Sequence, residues 1–166
     1  MFKVGDLIVY GNAGVCRVVE IGHPPLAGVS DDQDYYTLAP YYSENSVIFT
    51  PCNNDRVVMR PIVSKEEADE LIRLIPEIDC LGISDEKKRE DCYKDTIKTC
   101  DPKLFVSIIK TIYTRRQQRI SEGKRSTASD EKYFQMAEDK LYGELAIALE
   151  IEKSSVKDYI FKSVEM

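Results

Sequence analysis

The spacing of apolar residues changes once along the chain, near residue 62. Before that point they come in short β-branched runs. Beyond it they recur every three to four positions, as on one face of a helix. Leu7-Ile8-Val9-Tyr10 and the run from Val15 to Ile21 flank a turn containing Gly11, Asn12 and Gly14, the pattern of a β-hairpin. A loop from Gly22 to Gln33 follows, holding Pro24, Pro25 and Gly28. Residues 34–38, 46–50 and 56–60 read as third, fourth and fifth strands. Five short strands in about sixty residues, without helical periodicity, predict a small SH3- or Tudor-like barrel.

The second half predicts five helices. Ser64-Lys65-Glu66-Glu67 is a capping box, in which the Ser64 hydroxyl accepts from the Glu67 amide and the Glu67 carboxylate reaches back. Ala68, Leu71, Ile72 and Ile75 follow at helical spacing, and Pro76 stops the run. Ser84 is placed to cap a second helix with few apolar positions (Cys92, Tyr93, Ile97). Asp101-Pro102 starts a third, with Asp as cap and Pro at the first helical position. That helix sets Leu104, Phe105, Ile108, Ile109, Ile112 and Tyr113 on one face and leaves through a polar segment, residues 117–129. Ser129 or Asp130 caps a fourth helix, with Phe134, Ala137, Leu141, Leu145 and Leu149 in register. Ser154 or Ser155 caps a fifth, with Val156, Tyr159, Ile160 and Val164. The expectation is an α+β chain, with a barrel over residues 1–62 and a five-helix bundle over residues 63–166.

Composition narrows the chemistry. A hydrophobic fraction of 43% beside 31% charged residues belongs to a folded protein rather than a disordered one. The longest apolar runs, such as residues 104–109, are too short to span a bilayer, and the N-terminus has no signal-peptide core, so a cytoplasmic protein is expected. Five cysteines without a Cys-x-x-Cys pair read as reduced thiols. The single histidine, His23, sits in a Gly-His-Pro-Pro stretch, which leaves no set of metal ligands. There is no Gly-rich phosphate loop and no nucleophile with a matching base, so neither an enzyme nor a cofactor is expected. The pairs Asp31-Asp32 and Glu66-Glu67 fit turn and helix-start chemistry. A thiol-redox role would rest on Cys80, Cys92 and Cys100 alone.

Charge gives the chain a second feature. The net charge is −6, yet residues 102–125 hold seven cations against Glu122 alone, a local +6. Such a segment attracts polyanions in one orientation of an otherwise repelling molecule. Arg115 and Arg119 share a helix face. Two roles are open to Arg115, Arg116 and Arg119: each neutralises a phosphate, or each pairs with an acidic bundle helix or a helix C-terminus. Lys124 and Arg125 lie in a Gly- and Ser-containing loop, and Lys132 near the start of the fourth helix. In the pairs Tyr35-Tyr36 and Tyr41-Tyr42, one ring of each is expected to pack inside the barrel.

The run Phe2-Lys3-Val4-Gly5-Asp6-Leu7-Ile8-Val9-Tyr10, with Gly14-Val15 and Ile21 after it, resembles the N-terminal module of the bacterial CarD/CdnL transcription regulators, shared with the transcription-repair coupling factor. The second half resembles the same family through Arg115-Arg116, Ala137-Glu138 and Leu141-Tyr142-Gly143-Glu144-Leu145-Ala146. The resemblance implies a barrel that binds the β subunit of RNA polymerase by pairing a sheet edge with it. It also implies helices that contact promoter DNA and shift the balance between closed and open complexes. Basic residues that some members present to polymerase fall at Pro24 and Phe49 here; with Val47 and Ile48 they form the expected polymerase contact. Those members that act most clearly on promoter opening carry a Trp at the start of the second bundle helix as a minor-groove wedge. This chain has no Trp, and Glu86 stands at that position, followed by Lys87-Lys88-Arg89. A carboxylate beside phosphates opposes insertion, so the resemblance carries over backbone contact by Lys87, Lys88 and Arg89 rather than a wedge. The expected DNA-binding set is completed by Arg115, Arg116, Arg119, Lys124, Arg125 and Lys132. A polymerase-binding protein–protein adaptor without DNA function is the alternative.

Overall fold

A computed structural model describes residues 1–25, 28 and 32–164. Asp31, assigned above to turn chemistry, lies outside the described residues. The chain divides into two compact units, Met1–Ile62 and Val63–Met166.

The first unit is one antiparallel sheet. Its strands are β1 (Leu7–Tyr10), β2 (Gly14–Gly22), β3 (Tyr35–Pro40), β4 (Ile48–Pro51) and β5 (Met59–Pro61), in the order β4-β3-β2-β1-β5. The hairpin turn needs two glycines. Gly11 and Gly14 both have positive φ, and a Cβ on Gly11 would lie 2.6 Å from a Val57 methyl. A bulge between Val18 and Glu20 shifts the β2–β3 register and leaves Val19 exposed. The alternation of side chains puts Ile8, Cys16, Val18, Tyr36 and Leu38 into one small core.

Two expectations need correction. The sheet does not close into a barrel: β4 and β5 are its edges, and among the described residues no pairing joins them. Both are short and end in proline, which has no N–H to extend a ladder. Tyr36 is buried as expected, but Tyr41 and Tyr42 are both about half exposed and stack edge-on against each other, with ring centroids 5.0 Å apart. They follow β3 in a turn, where strand alternation no longer applies.

The second unit holds helices α1 (Lys65–Leu74), α2 (Arg89–Lys98), α3 (Pro102–Ser121), α4 (Ala128–Leu149) and α5 (Val156–Val164). The Ser64 capping box forms with both of its hydrogen bonds, and Asp101 caps α3 with Pro102 in the first turn. The core is a single cluster that includes Ile72, Tyr93, Ile108, Ile112, Leu141, Leu145 and Val156. Each such side chain, once buried, contributes roughly 1.5–3 kcal/mol.

Other boundaries moved. The helix α3 runs five residues into the expected exit segment, because Gln117, Gln118 and Arg119 are helix formers and the first breaker is Gly123. There the Lys124 amide donates to the Arg119 carbonyl (2.8 Å) and the Gly123 amide to that of Ile120 (3.0 Å), with Gly123 at φ +75°, which is a Schellman stop. Tyr113 points to solvent instead of the core. Asp85, not Ser84, caps the turn that leads into α2, and Thr127, not Ser129 or Asp130, caps α4. A single 3-10 turn, Lys153–Ser155, precedes α5 in place of the expected Ser cap.

Candidate functional site

In the first unit, β4 brings three of the expected polymerase-contact residues to one place. Val47 just precedes it and is exposed, while Ile48 and Phe49 lie on it and are partly exposed. Alternation decides which of them a partner could reach. Ile48 packs on the sheet's core and Thr50 is buried, its hydroxyl accepting from the Asn54 amide at 2.9 Å. Phe49 lies between them, directed to the opposite face and paired across the ladder with Thr37. One side of β4 bonds to β3, and its other side meets no further strand among the described residues. Pro24 is not part of this edge strand; it is buried in the loop after β2.

In the second unit the arginines expected to meet phosphate are built into a network of side chains. Its anchor is Asp130 in the first turn of α4, 1% exposed at its side chain. The Asp130 carboxylate accepts from Arg115 Nε of α3 at 2.7 Å and from the Tyr93 hydroxyl of α2 at 3.0 Å. The outer end of Arg115 donates through Nη1 to both Glu86 oxygens, each at 3.1 Å. Arg89 donates to the same carboxylate through Nε (3.0 Å) and Nη2 (2.7 Å), and through Nη1 to the Tyr93 oxygen (3.3 Å). Those bonds from Arg89 hold the Glu86 carboxyl below the usual range, and Glu86 in turn raises the Arg89 guanidinium. Burial pushes the Tyr93 phenol up, so it stays protonated as a donor to Asp130.

Two more arginines are similarly occupied. Arg116 pairs with Glu131 at 3.0 Å and lies over the Phe134 ring, 4.3 Å from its centroid. Arg119 Nε donates to the Arg125 carbonyl at 2.7 Å. Lys110, part of the same basic segment, donates to the Ile75 and Ile78 carbonyls. Lys87, Lys88, Lys124, Arg125 and Lys132 remain on the surface. Lys124 stands 3.7 Å from Glu122, and Lys132 lies over the Tyr133 ring at 5.3 Å. Beside the Glu86 network runs an open groove of about 400 Å³, lined by Cys80, Ile83, Thr114, Gln118 and Arg119 together with the network's own arginines.

Sequence reasoning missed Asp130 as the organising residue and Glu86 as a bridge. For Asp130 a signal exists: it stands three and seven residues before the buried Tyr133 and Ala137, on the inner face of the helix. For Glu86 only half is local: Arg89 stands three residues on, whereas Arg115 comes from a distant helix and leaves no signal.

All five cysteines are free thiols, and burial pushes that of Cys16 up to about 11. Cys80 is exposed, Cys92 partly so, and Cys100 buried. Among the described residues no group of three or more His, Cys, Asp or Glu could hold a metal ion, and no helix is long and apolar enough to cross a membrane.

Residues 2–63 match the family model of the CarD-like/TRCF RID domain. The match ends where the sheet unit ends, so the first unit is a domain of that family, a protein–protein interaction module for RNA polymerase. No curated protein matches the chain.

Proposed function

We propose that this protein is a non-enzymatic transcription regulator that binds the β subunit of RNA polymerase through β4 and contacts promoter DNA through the helical unit. The observation that carries the reading is the edge position of β4, whose outer side meets no further strand among the described residues, with Val47 and Phe49 beside it, in a unit of the polymerase-interacting family. A sheet edge offers a partner strand a row of backbone donors and acceptors, and the outward side chain selects the partner. On this reading Phe49 supplies apolar contact to the β-subunit lobe. The DNA contact falls to the surface cations Lys87, Lys88, Lys124 and Arg125, which touch the phosphate backbone and favour one state of the promoter complex over the other.

A second reading keeps the polymerase contact and drops the DNA. What favours it is the occupation of Arg89, Arg115 and Arg116 by carboxylates, in a chain of net charge −6.

The test has two arms. Titration with the isolated β-subunit lobe is expected to saturate at micromolar concentration or below, and Phe49→Arg is expected to weaken binding at least tenfold. No binding by a folded chain overturns the polymerase reading. In the second arm a promoter duplex is titrated over a range of salt. Four phosphate contacts, at about −0.9 each, predict a log–log slope of roughly −3.6. Absence of salt-dependent binding selects the adaptor.

A further inference from the structure

The Glu86 carboxylate is held as an anionic ligand would be held. It receives four N–H···O bonds from two guanidinium groups, two from Arg89 and two from Arg115, at 2.7–3.1 Å. Yet its own side chain is 64% exposed, and it sits on a single 3-10 turn, Glu86–Lys88. The two arginines are fixed quite differently. Arg115 is tied from behind to Asp130, whose side chain is 1% exposed, and Arg89 to the buried Tyr93. If Glu86 turns away, both guanidinium groups keep their orientation and present donor edges to the same point at the surface.

The strengths of these contacts are unequal. A pair whose carboxylate lies mostly in water contributes little and weakens with salt. The Arg115–Asp130 pair is costly to break, because a charge would be left unpaired inside the protein. The Glu86 contacts are therefore the ones that give way. The Nε–Nη2 fork of Arg89 and the Nη1 of Arg115, converging on one point, match the oxygens of a phosphate group. The open groove beside them, with Thr114, Gln118 and Arg119 along it, has room for such a group.

We propose that Arg89 and Arg115 form a two-arginine phosphate clamp and that Glu86 is its resident competitor, displaced when the phosphate of a polyanion binds. The inference deepens the nucleic-acid reading above and rests on it for the choice of duplex DNA as ligand. Glu86 thereby sets the affinity of the helical unit for polyanions: it suppresses binding to scattered phosphates and yields to one held in place by further contacts.

The experiment compares the full chain with Glu86→Ala, with Glu86→Ala/Arg89→Gln, and with Asp95→Ala, which makes the same charge change away from the network, on α2. Each is titrated with a 20-base-pair duplex at several salt concentrations and, separately, with inorganic pyrophosphate, after circular dichroism has shown it to be folded. The expected result is duplex binding about tenfold tighter for Glu86→Ala, with a log–log salt slope steeper by roughly 1–2, reflecting two arginines at about 0.9 each. The gain disappears in the double variant, and Asp95→Ala changes affinity less than twofold. Equal tightening by Asp95→Ala, or duplex binding by the wild type that Glu86→Ala does not improve, overturns the clamp while the nucleic-acid reading stands. Pyrophosphate binding improved by Glu86→Ala, with no duplex bound by any form, supports the clamp and overturns the nucleic-acid reading. No binding of either ligand by any form overturns both.

Discussion

Asp130 shows how one residue's role depends on what lies behind it. At the start of a helix an aspartate normally faces water and favours the N-terminal dipole. Here it is sealed beneath Arg115 and Tyr93, and the Thr127 hydroxyl takes over the cap by accepting from the Asp130 amide at 3.1 Å. Replacing it with alanine leaves a guanidinium without its buried counter-charge and the Tyr93 hydroxyl without its acceptor. Asp130→Ala is expected to lose about 3 kcal/mol in urea unfolding, within the range for breaking a buried pair. A loss below about 1 kcal/mol would mean that Arg115 simply turns to solvent. Apart from its helical register, nothing in the sequence separates this aspartate from a solvated one.

At the scale of elements, start signals with a local chemistry were legible. Ser64 with Glu67, and Asp101 with Pro102, act within four residues of one another and behave in the fold as they read in the sequence. Stops were less so, because a helix ends where packing ends as well as where a breaker stands. The end of α4 carries no breaker: Glu150 takes the left-handed conformation at φ 57°, and the Ile151 amide closes the turn on the Ala146 carbonyl at 3.0 Å. That conformation is costly for a residue with a Cβ and nearly free for glycine. Glu150 is exposed, so Glu150→Gly is expected to add about 0.5–1 kcal/mol, read as a rise of a few degrees in Tm. A fall in Tm would show that the glutamate side chain itself holds the turn.

For the whole molecule, the two units rest on separate cores of unequal size. The sheet unit buries a cluster built on five residues, whereas the helical cluster draws on α1 through α5. The helical unit also carries its own N-terminal anchor, the Val63 amide donating to the buried Glu144 carboxylate at 2.8 Å. Residues 63–166 alone are therefore expected to melt cooperatively, as followed by far-ultraviolet circular dichroism. A broad melt with dye-binding apolar surface would show that the helices need the sheet unit to pack. The sheet unit is at the size where a core is marginal, and its family is one that engages a partner.

The sequence by itself determined the element types, the change from strands to helices near residue 62, the starts of α1 and α3 and the hairpin, since each follows from side chains within a few residues of one another. It also carried the polymerase-interacting module, through the residues of the opening hairpin. Only the tertiary structure decided that the sheet stays open and which cations meet carboxylates. Sheet closure depends on whether two strands distant in the chain can pair. The arginine partners lie 15 residues away at Asp130 and 29 at Glu86. Charge density along a sequence counts cations, but their availability is set by which anions the fold places against them.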